Sequence, residues 1–167
     1  EDVCDGVFVI RKKNGIDPHA MMQISRIIKD KGIDVINAHH FMPFTYCFLG
    51  SRILNRRSLI YTEHTLEEVR QASKKFKNIT NILLYQTNVV VGISRELAQL
   101  FKVEYPSHIE RISCIQNSID TERFQIKVNR EHKRAELGLM PNHFVIGCVA
   151  NYRKQKNHLC LIRAVDL

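Results

Sequence analysis

Asp34-Val-Ile-Asn-Ala38 and Ser58-Leu-Ile-Tyr-Thr62 are short apolar runs joined by a helical pattern from about Pro43 to Leu54. Runs of this length suit strands buried on both sides, and a helix between them supplies the crossover that two parallel strands require. Outward from this unit the alternation continues. Towards the N-terminus, Val7-Phe-Val-Ile10 reads as a strand, and Pro18 opens a helix through Lys31 with Met21, Ile24, Ile27 and Ile28 on one face, stopped by Gly32. Towards the C-terminus, one long helical pattern runs from about Leu66 to Tyr85, with Val69, Ala72, Phe76, Ile79 and Leu83 at helical spacing. Asn88-Val-Val-Val-Gly92 returns as a strand, Ser94 caps a helix to about Phe101, and Arg111-Ile-Ser-Cys-Ile-Gln116 closes the set. The expected fold is α/β: a Rossmann-like parallel sheet with helices on both faces.

From Asp120 to Asn142 the chain turns polar and basic, with a helix from Arg130 to Leu137 stopped by Gly138. This stretch reads as a crossing between domains, so the expected division is 1–124 and 125–167. Phe144-Val-Ile-Gly-Cys-Val149 would begin a second sheet, and Asn157 to Leu167 would be its first helix. One strand and one helix leave an apolar face uncovered on each, so the chain is expected to be part of a larger protein.

The 167 residues carry 25 Lys and Arg against 17 Asp and Glu, a formal charge of +8 that gathers at Arg11-Lys12-Lys13, Arg56-Arg57, Lys74-Lys75-Phe76-Lys77 and Arg130 to Arg134. Solvated helix faces are the first reading of such clusters. The functional readings are anionic lipid headgroups, a phosphorylated substrate or nucleic acid. Nucleic acid is the weakest, because Phe76 is the one aromatic within the basic runs and no recognition motif occurs. Five cysteines without a C-x-x-C pair suit a reduced, cytosolic compartment, most of them lying in apolar segments as small hydrophobes. His39-His40, His64 and His132 are separated by whole elements, so no metal site is expected.

After the Phe144 to Val149 run comes a turn carrying Arg153 and Lys156, cations suited to gripping a diphosphate at the carboxyl end of a strand.

Five segments, in this order, resemble the retaining glycosyltransferases of family four. Asp34-Val-Ile-Asn-Ala-His39 and Ile60-Tyr-Thr-Glu-His64 look like two family strands that each end in histidine. Val91-Gly-Ile-Ser94 resembles the strand-to-serine turn, and Ile115-Gln-Asn-Ser-Ile-Asp120 with Phe124 resembles the crossover sequence. Ile146 to Ala164 looks like the opening of the donor domain. Ser118 stands where the family usually has glycine, and Asn151 where many members have an arginine. The resemblance implies the GT-B fold of two facing Rossmann-like domains. Residues 1–124 would then be most of an acceptor-side domain lacking its first strand, and 125–167 the start of the nucleotide-sugar domain. It also implies a nucleotide-diphosphate sugar as donor, a glycan or lipid-linked acceptor, retention of configuration, no metal cofactor, and work at the cytoplasmic face of an anionic membrane.

Sugar transfer builds negative charge on the departing phosphate, which Arg153 could fork and Lys156 could meet as a point charge. On its own that turn would be an ordinary basic loop. His64 would hydrogen-bond sugar or phosphate, or else anchor its turn, and His39 has the same two readings; His40 reads as a neighbour on the helix-entry turn. Ser94 is a cap or an acceptor contact. Asn117 and Asp120 shape the crossover or fix the placement of the domains. Glu63 is set aside as a general base, and Glu67-Glu68 as an acidic pair, since adjacent helical residues point apart. A nucleotide-sugar epimerase on the same scaffold and a noncatalytic carbohydrate-binding module are the competing readings.

Overall fold

The computed structural model describes residues 4–52, 57–125 and 127–165. Two compact units divide the chain, Glu1–Ile119 and Asp120–Leu167.

In the first unit β1 (Val35–His39), β2 (Ser58–Glu63), β3 (Val89–Gly92) and β4 (Ile112–Cys114) form one sheet in that order, and every pairing is parallel. The register aligns Ala38, Tyr61, Val90 and Ile112 in a row across the strands, and all four are buried. Helices α1 (Pro18–Asp30), α2 (Phe41–Arg52), α3 (Leu66–Arg70), α4 (Lys74–Leu84) and α5 (Arg95–Glu104) accompany the sheet. Phe44 and Phe48 of α2, Leu83 and Leu84 of α4, and Leu97 and Phe101 of α5 close over that row. Phe44 stacks on Tyr61 at 4.3 Å and 14°, while Phe101 meets the same ring edge-on at 5.8 Å. Burying a ring of this size contributes about 2–3 kcal/mol, so β2 is clamped from two helices at one residue.

Local chemistry explains the element ends. Asp17 caps α1 by accepting from the His19 and Ala20 N–H groups, with Pro18 in the first turn where a missing N–H costs nothing. Gly32 at φ +61 ends α1, a conformation that glycine adopts without a Cβ clash. Arg111 donates from Nη1 to the Leu84, Tyr85 and Thr87 carbonyls, tying the start of β4 to the chain that leaves α4.

Several expectations are corrected. Val7 to Ile10 is not a strand: no described segment pairs with it, and Val7 and Val9 are about four-fifths exposed, at 80% and 81%. The long helix from Leu66 to Tyr85 breaks at Gln71–Ser73, because the Ser73 hydroxyl accepts from the Phe76 N–H and starts a new helix; Ala72 sits in the break. Gly50 of α2 lies against α1, its carbonyl accepting from Ser25 Oγ at 2.7 Å. The last strand is shorter than read, covering Ile112–Cys114. Ile53 and Leu54 of the expected second helix lie outside the described residues.

The second unit holds a 3-10 turn at Glu122–Phe124, α6 (Arg130–Glu136), a 3-10 turn at Lys154–Lys156, and α7 (His158–Val165). Phe144 to Val149 is not a strand, and Phe144 is 92% exposed. A strand exists only through ladder bonds to a neighbour, and no described segment supplies them. Asp166 and Leu167, expected in the last helix, lie outside the described residues. All five cysteines are free; Cys47 is half-buried, whereas Cys4, Cys114, Cys148 and Cys160 are exposed rather than packed as hydrophobes.

Candidate active site at the carboxyl edge of the sheet

Parallel strands deliver their carboxyl ends to one edge, and the last residues of β1 and β2 deliver histidines there. His39 ends β1 and His64 follows β2, and the register sets His39 beside Thr62. The two imidazoles meet, His39 Nδ1 to His64 Nε2, at 2.7 Å. A bond between two ring nitrogens needs one donor and one acceptor, so the pair shares a single proton in that contact. His40 adds a third ring, 4.8 Å from His64 between centroids. The expectation that whole elements keep His39, His40 and His64 apart is therefore corrected: separation along the chain is closed by the crossover between adjacent strands.

His40 holds φ +66, a left-handed conformation that a residue with a Cβ adopts at a cost of about 1–2 kcal/mol. Three bonds hold it there. Its N–H donates to the Thr62 carbonyl at 2.9 Å, its own carbonyl accepts from the Phe44 N–H at 3.1 Å to begin α2, and its ring nitrogen Nδ1 lies 3.2 Å from Glu63 Oε1.

Beneath the histidines Glu63 is 1% exposed. Its Oε1 accepts from the His64 N–H at 2.7 Å and the Thr65 N–H at 3.0 Å, and its Oε2 accepts from the Tyr61 hydroxyl at 2.6 Å. A buried carboxylate without such donors would be strongly destabilising; here hydrogen bonds surround it. The cost of its charge also acts on Tyr61, whose hydroxyl is pushed far up, first by burial and then by Glu63. Burial pushes His64 below its ordinary value, the charges of His40 and His39 push it the same way, and Glu63 opposes them.

His40, Glu63 and Glu68 form a group whose nearest nitrogen and oxygen atoms lie within 4.8 Å of one another, the donor set a divalent cation would use. Three of the four contacts made by the Glu63 carboxylate fall on Oε1, and Oε2 accepts only from the Tyr61 hydroxyl.

Ser94 follows β3 at the same edge, and its hydroxyl accepts from the Leu97 N–H at 3.1 Å as the cap of α5. Asn117 is exposed in the segment that follows β4. Asp120 belongs to the second unit, where its Oδ1 accepts from the Glu122 N–H at 3.1 Å and caps the short turn. Arg153 and Lys156 are also in the second unit, both exposed, joined through the backbone by the Lys156 N–H and the Arg153 carbonyl at 2.9 Å. Beside them Tyr152, Arg153, Lys154, Asn157, His158 and Leu159 line an open cleft of ≈ 450 Å³, with Tyr152 stacked on His158.

The sheet edge thus gathers His39, His64 and Ser94 with two residues that the strand pattern undervalued, His40 and Glu63. A signal for Glu63 was present: Leu59, Tyr61 and Glu63 alternate onto one face, so a charged side chain had to lie on the buried side of an apolar strand.

A family model described as Glycosyltransferase Family 4 matches residues 3–123. Among solved structures, the chain resembles Anabaena HepE, determined in complex with UDP and glucose, with a TM-score of 0.71 and 20% sequence identity. The match covers 88% of this chain and 39% of that one, and at this identity it speaks to the fold alone. No curated protein matches the chain.

Proposed function

The chain belongs to glycosyltransferase family 4, and from that premise we propose that its activity is transfer of a sugar from a nucleotide diphosphate to a glycan or lipid-linked acceptor, with retention. The observation that carries this reading is the 2.7 Å meeting of His39 and His64 at the carboxyl edge of a parallel sheet, where open α/β sheets bind ligands. In this reading the His39–His64 pair presents one ring N–H and one bare ring nitrogen to sugar hydroxyls or phosphate oxygens, and the position of the proton between the rings decides which ring presents which. Arg153 and Lys156 take the diphosphate. As the bond from the anomeric carbon to the departing phosphate breaks, that carbon becomes cationic and the phosphate oxygens anionic; the acceptor hydroxyl forms the new glycosidic bond from the same face and gives its proton to a leaving phosphate oxygen. Each cation that meets those oxygens is worth about 2–4 kcal/mol of barrier, by analogy with oxyanion donors. In this scheme Arg153 and Lys156 supply the charge and no metal is invoked.

Residues 1–124 are proposed as the acceptor-side part and 125–167 as part of the nucleotide-sugar side, with Asn117 and Asp120 shaping the crossover and Ser94 bordering the acceptor. The net charge of +8 suits peripheral contact with anionic lipid at the cytoplasmic face of a membrane. No helix among the described residues is long and apolar enough to cross one. Nucleic acid is not a proposed partner.

Titration calorimetry with UDP, GDP and ADP tests the donor assignment. Arg153→Ala with Lys156→Ala is expected to weaken the preferred nucleotide by about 100-fold or more, since each charge-assisted contact is worth about 1.5–3 kcal/mol. Equal affinity in the parent and the double variant would remove these cations from the site.

A further inference from the structure

We propose that Glu63 is a positioning residue for sugar transfer, its buried carboxylate holding the His64 and Thr65 backbone and the His40 ring so that His64 stays aligned with His39. This assignment rests on the proposed transfer reaction and adds to it a residue that does not touch the substrate. The carboxylate faces away from solvent, at 1% exposure, so proton exchange with an acceptor hydroxyl is not its task. It reaches the reacting edge through others instead. Its contact with the His64 N–H fixes the backbone that carries the imidazole, and its contact with His40 secures a residue in the left-handed region where β1 becomes α2. One carboxylate therefore ties together the ends of β1 and β2, the two strands whose histidines meet. The Tyr61 hydroxyl anchors it from below, and Tyr61 is itself stacked on Phe44 and edge-packed by Phe101. The imidazole pair is thus connected to the aromatic core by an unbroken series of contacts, the outer support that gives a functional side chain one orientation.

Glutamine at this position keeps the shape but removes the charge, so Oε1 holds its three donors less strongly and the Tyr61 contact survives only with its direction reversed. In the whole protein assayed with nucleotide sugar and acceptor, Glu63→Gln is expected to lower kcat by about 10- to 100-fold, with the donor KM changed by less than about threefold. The His64→Ala, Glu63→Gln double variant is expected to be no slower than His64→Ala alone, because Glu63 acts through His64. The charged groups facing His64 are His39, His40 and Glu63, with Glu68 beside them; Glu63 favours the protonated ring, so the acidic limb of the Glu63→Gln rate profile moves to lower pH. Glu63→Asp, which keeps the charge, returns the limb towards its original position.

Losses that multiply in the double variant, or a Glu63→Gln enzyme with parental kcat, would overturn the assignment. If Glu63→Gln fails to fold, Tyr61→Phe carries the test: it leaves the carboxylate and removes one of its donors. Long-range ¹H–¹⁵N spectra of the His39 and His64 imidazoles should then change, and identical spectra would refute the coupling. These spectra do not depend on turnover. A protein inactive with every nucleotide sugar would defeat the functional reading, whereas unaltered imidazoles would defeat only the positioning role.

Discussion

Gly92→Ala places one methyl group where β3 meets α5. An added Cβ would lie 2.6 Å from the Ala98 nitrogen, 2.9 Å from the Ala98 Cα and 3.1 Å from the Leu97 carbonyl carbon. All three are backbone atoms of α5, so no side-chain rotation can relieve the clash. Ordinary contact begins at 3.4 Å, and the first turn of α5 must therefore withdraw from the sheet by about 0.8 Å. That withdrawal loosens Leu97, Ala98 and Phe101, all buried against the sheet. Overpacking of this kind costs about 1–3 kcal/mol, and rigid backbone on one side argues for the upper half of that range. For a domain of this size the melting temperature should fall by about 4–10 °C, measured by far-UV dichroism with urea unfolding as a check. Gly147→Ala serves as the control, since its Cβ would meet nothing within 4 Å. The same displacement moves Ser94 at the candidate site, so activity should fall at temperatures where the fold is intact. A Gly92→Ala protein melting within about 1 °C of the parent would refute the close approach of α5 to β3.

Ser94→Ala should destabilise the fold by about 1 kcal/mol through loss of the α5 cap, measured by urea unfolding; an unchanged midpoint would mean the hydroxyl serves something other than the helix. Phe44→Ala should cost about 3–5 kcal/mol, because the ring is fully buried and stacked on Tyr61, and would be read from the same transition. His108, 3% exposed and bonded to Asn81 Oδ1 at 2.9 Å, is held below its ordinary value by burial and then by Arg111. The folded state therefore binds its proton less readily than the unfolded chain, whose histidine titrates near 6.5. Its contribution is complete above pH 6.5 and is lost as pH falls through the lower folded value. His64 acts in the same direction. Unfolding at pH 7.5 and 5.5 should show the loss, and His108→Gln should make the curve flatter; a parent with equal stability at both pH values would contradict the shift.

The order of strands and helices between Val35 and Cys114 could be read from the chain because each signal was local. Apolar runs of strand length and Ser94 at a helix start act within a few residues of themselves, as do Pro18 and Gly32 at the two ends of the preceding helix. The break at Gln71–Ser73 was harder, since apolar spacing continues through it and only the Ser73 hydroxyl marks the new start. Val7–Ile10 and Phe144–Val149 have the composition of strands but no neighbour among the described residues. Apolar content is a property of a segment, whereas a strand is a property of a pair.

At the site, the sequence placed His39 and His64 each at the carboxyl end of a strand, whereas the adjacency of those strands was decided by the β1–β2 pairing. The sequence also determined the cationic turn at Arg153 and Lys156. The single shared proton between the two imidazoles, the left-handed His40, and the carboxylate of Glu63 reaching two backbone N–H groups, one hydroxyl and one ring were decided by tertiary structure. A hydrogen bond depends on tenths of an ångström and on direction, and residues 25 positions apart acquire both only when the β1–β2 register and the packing of α2 fix where their side chains stand.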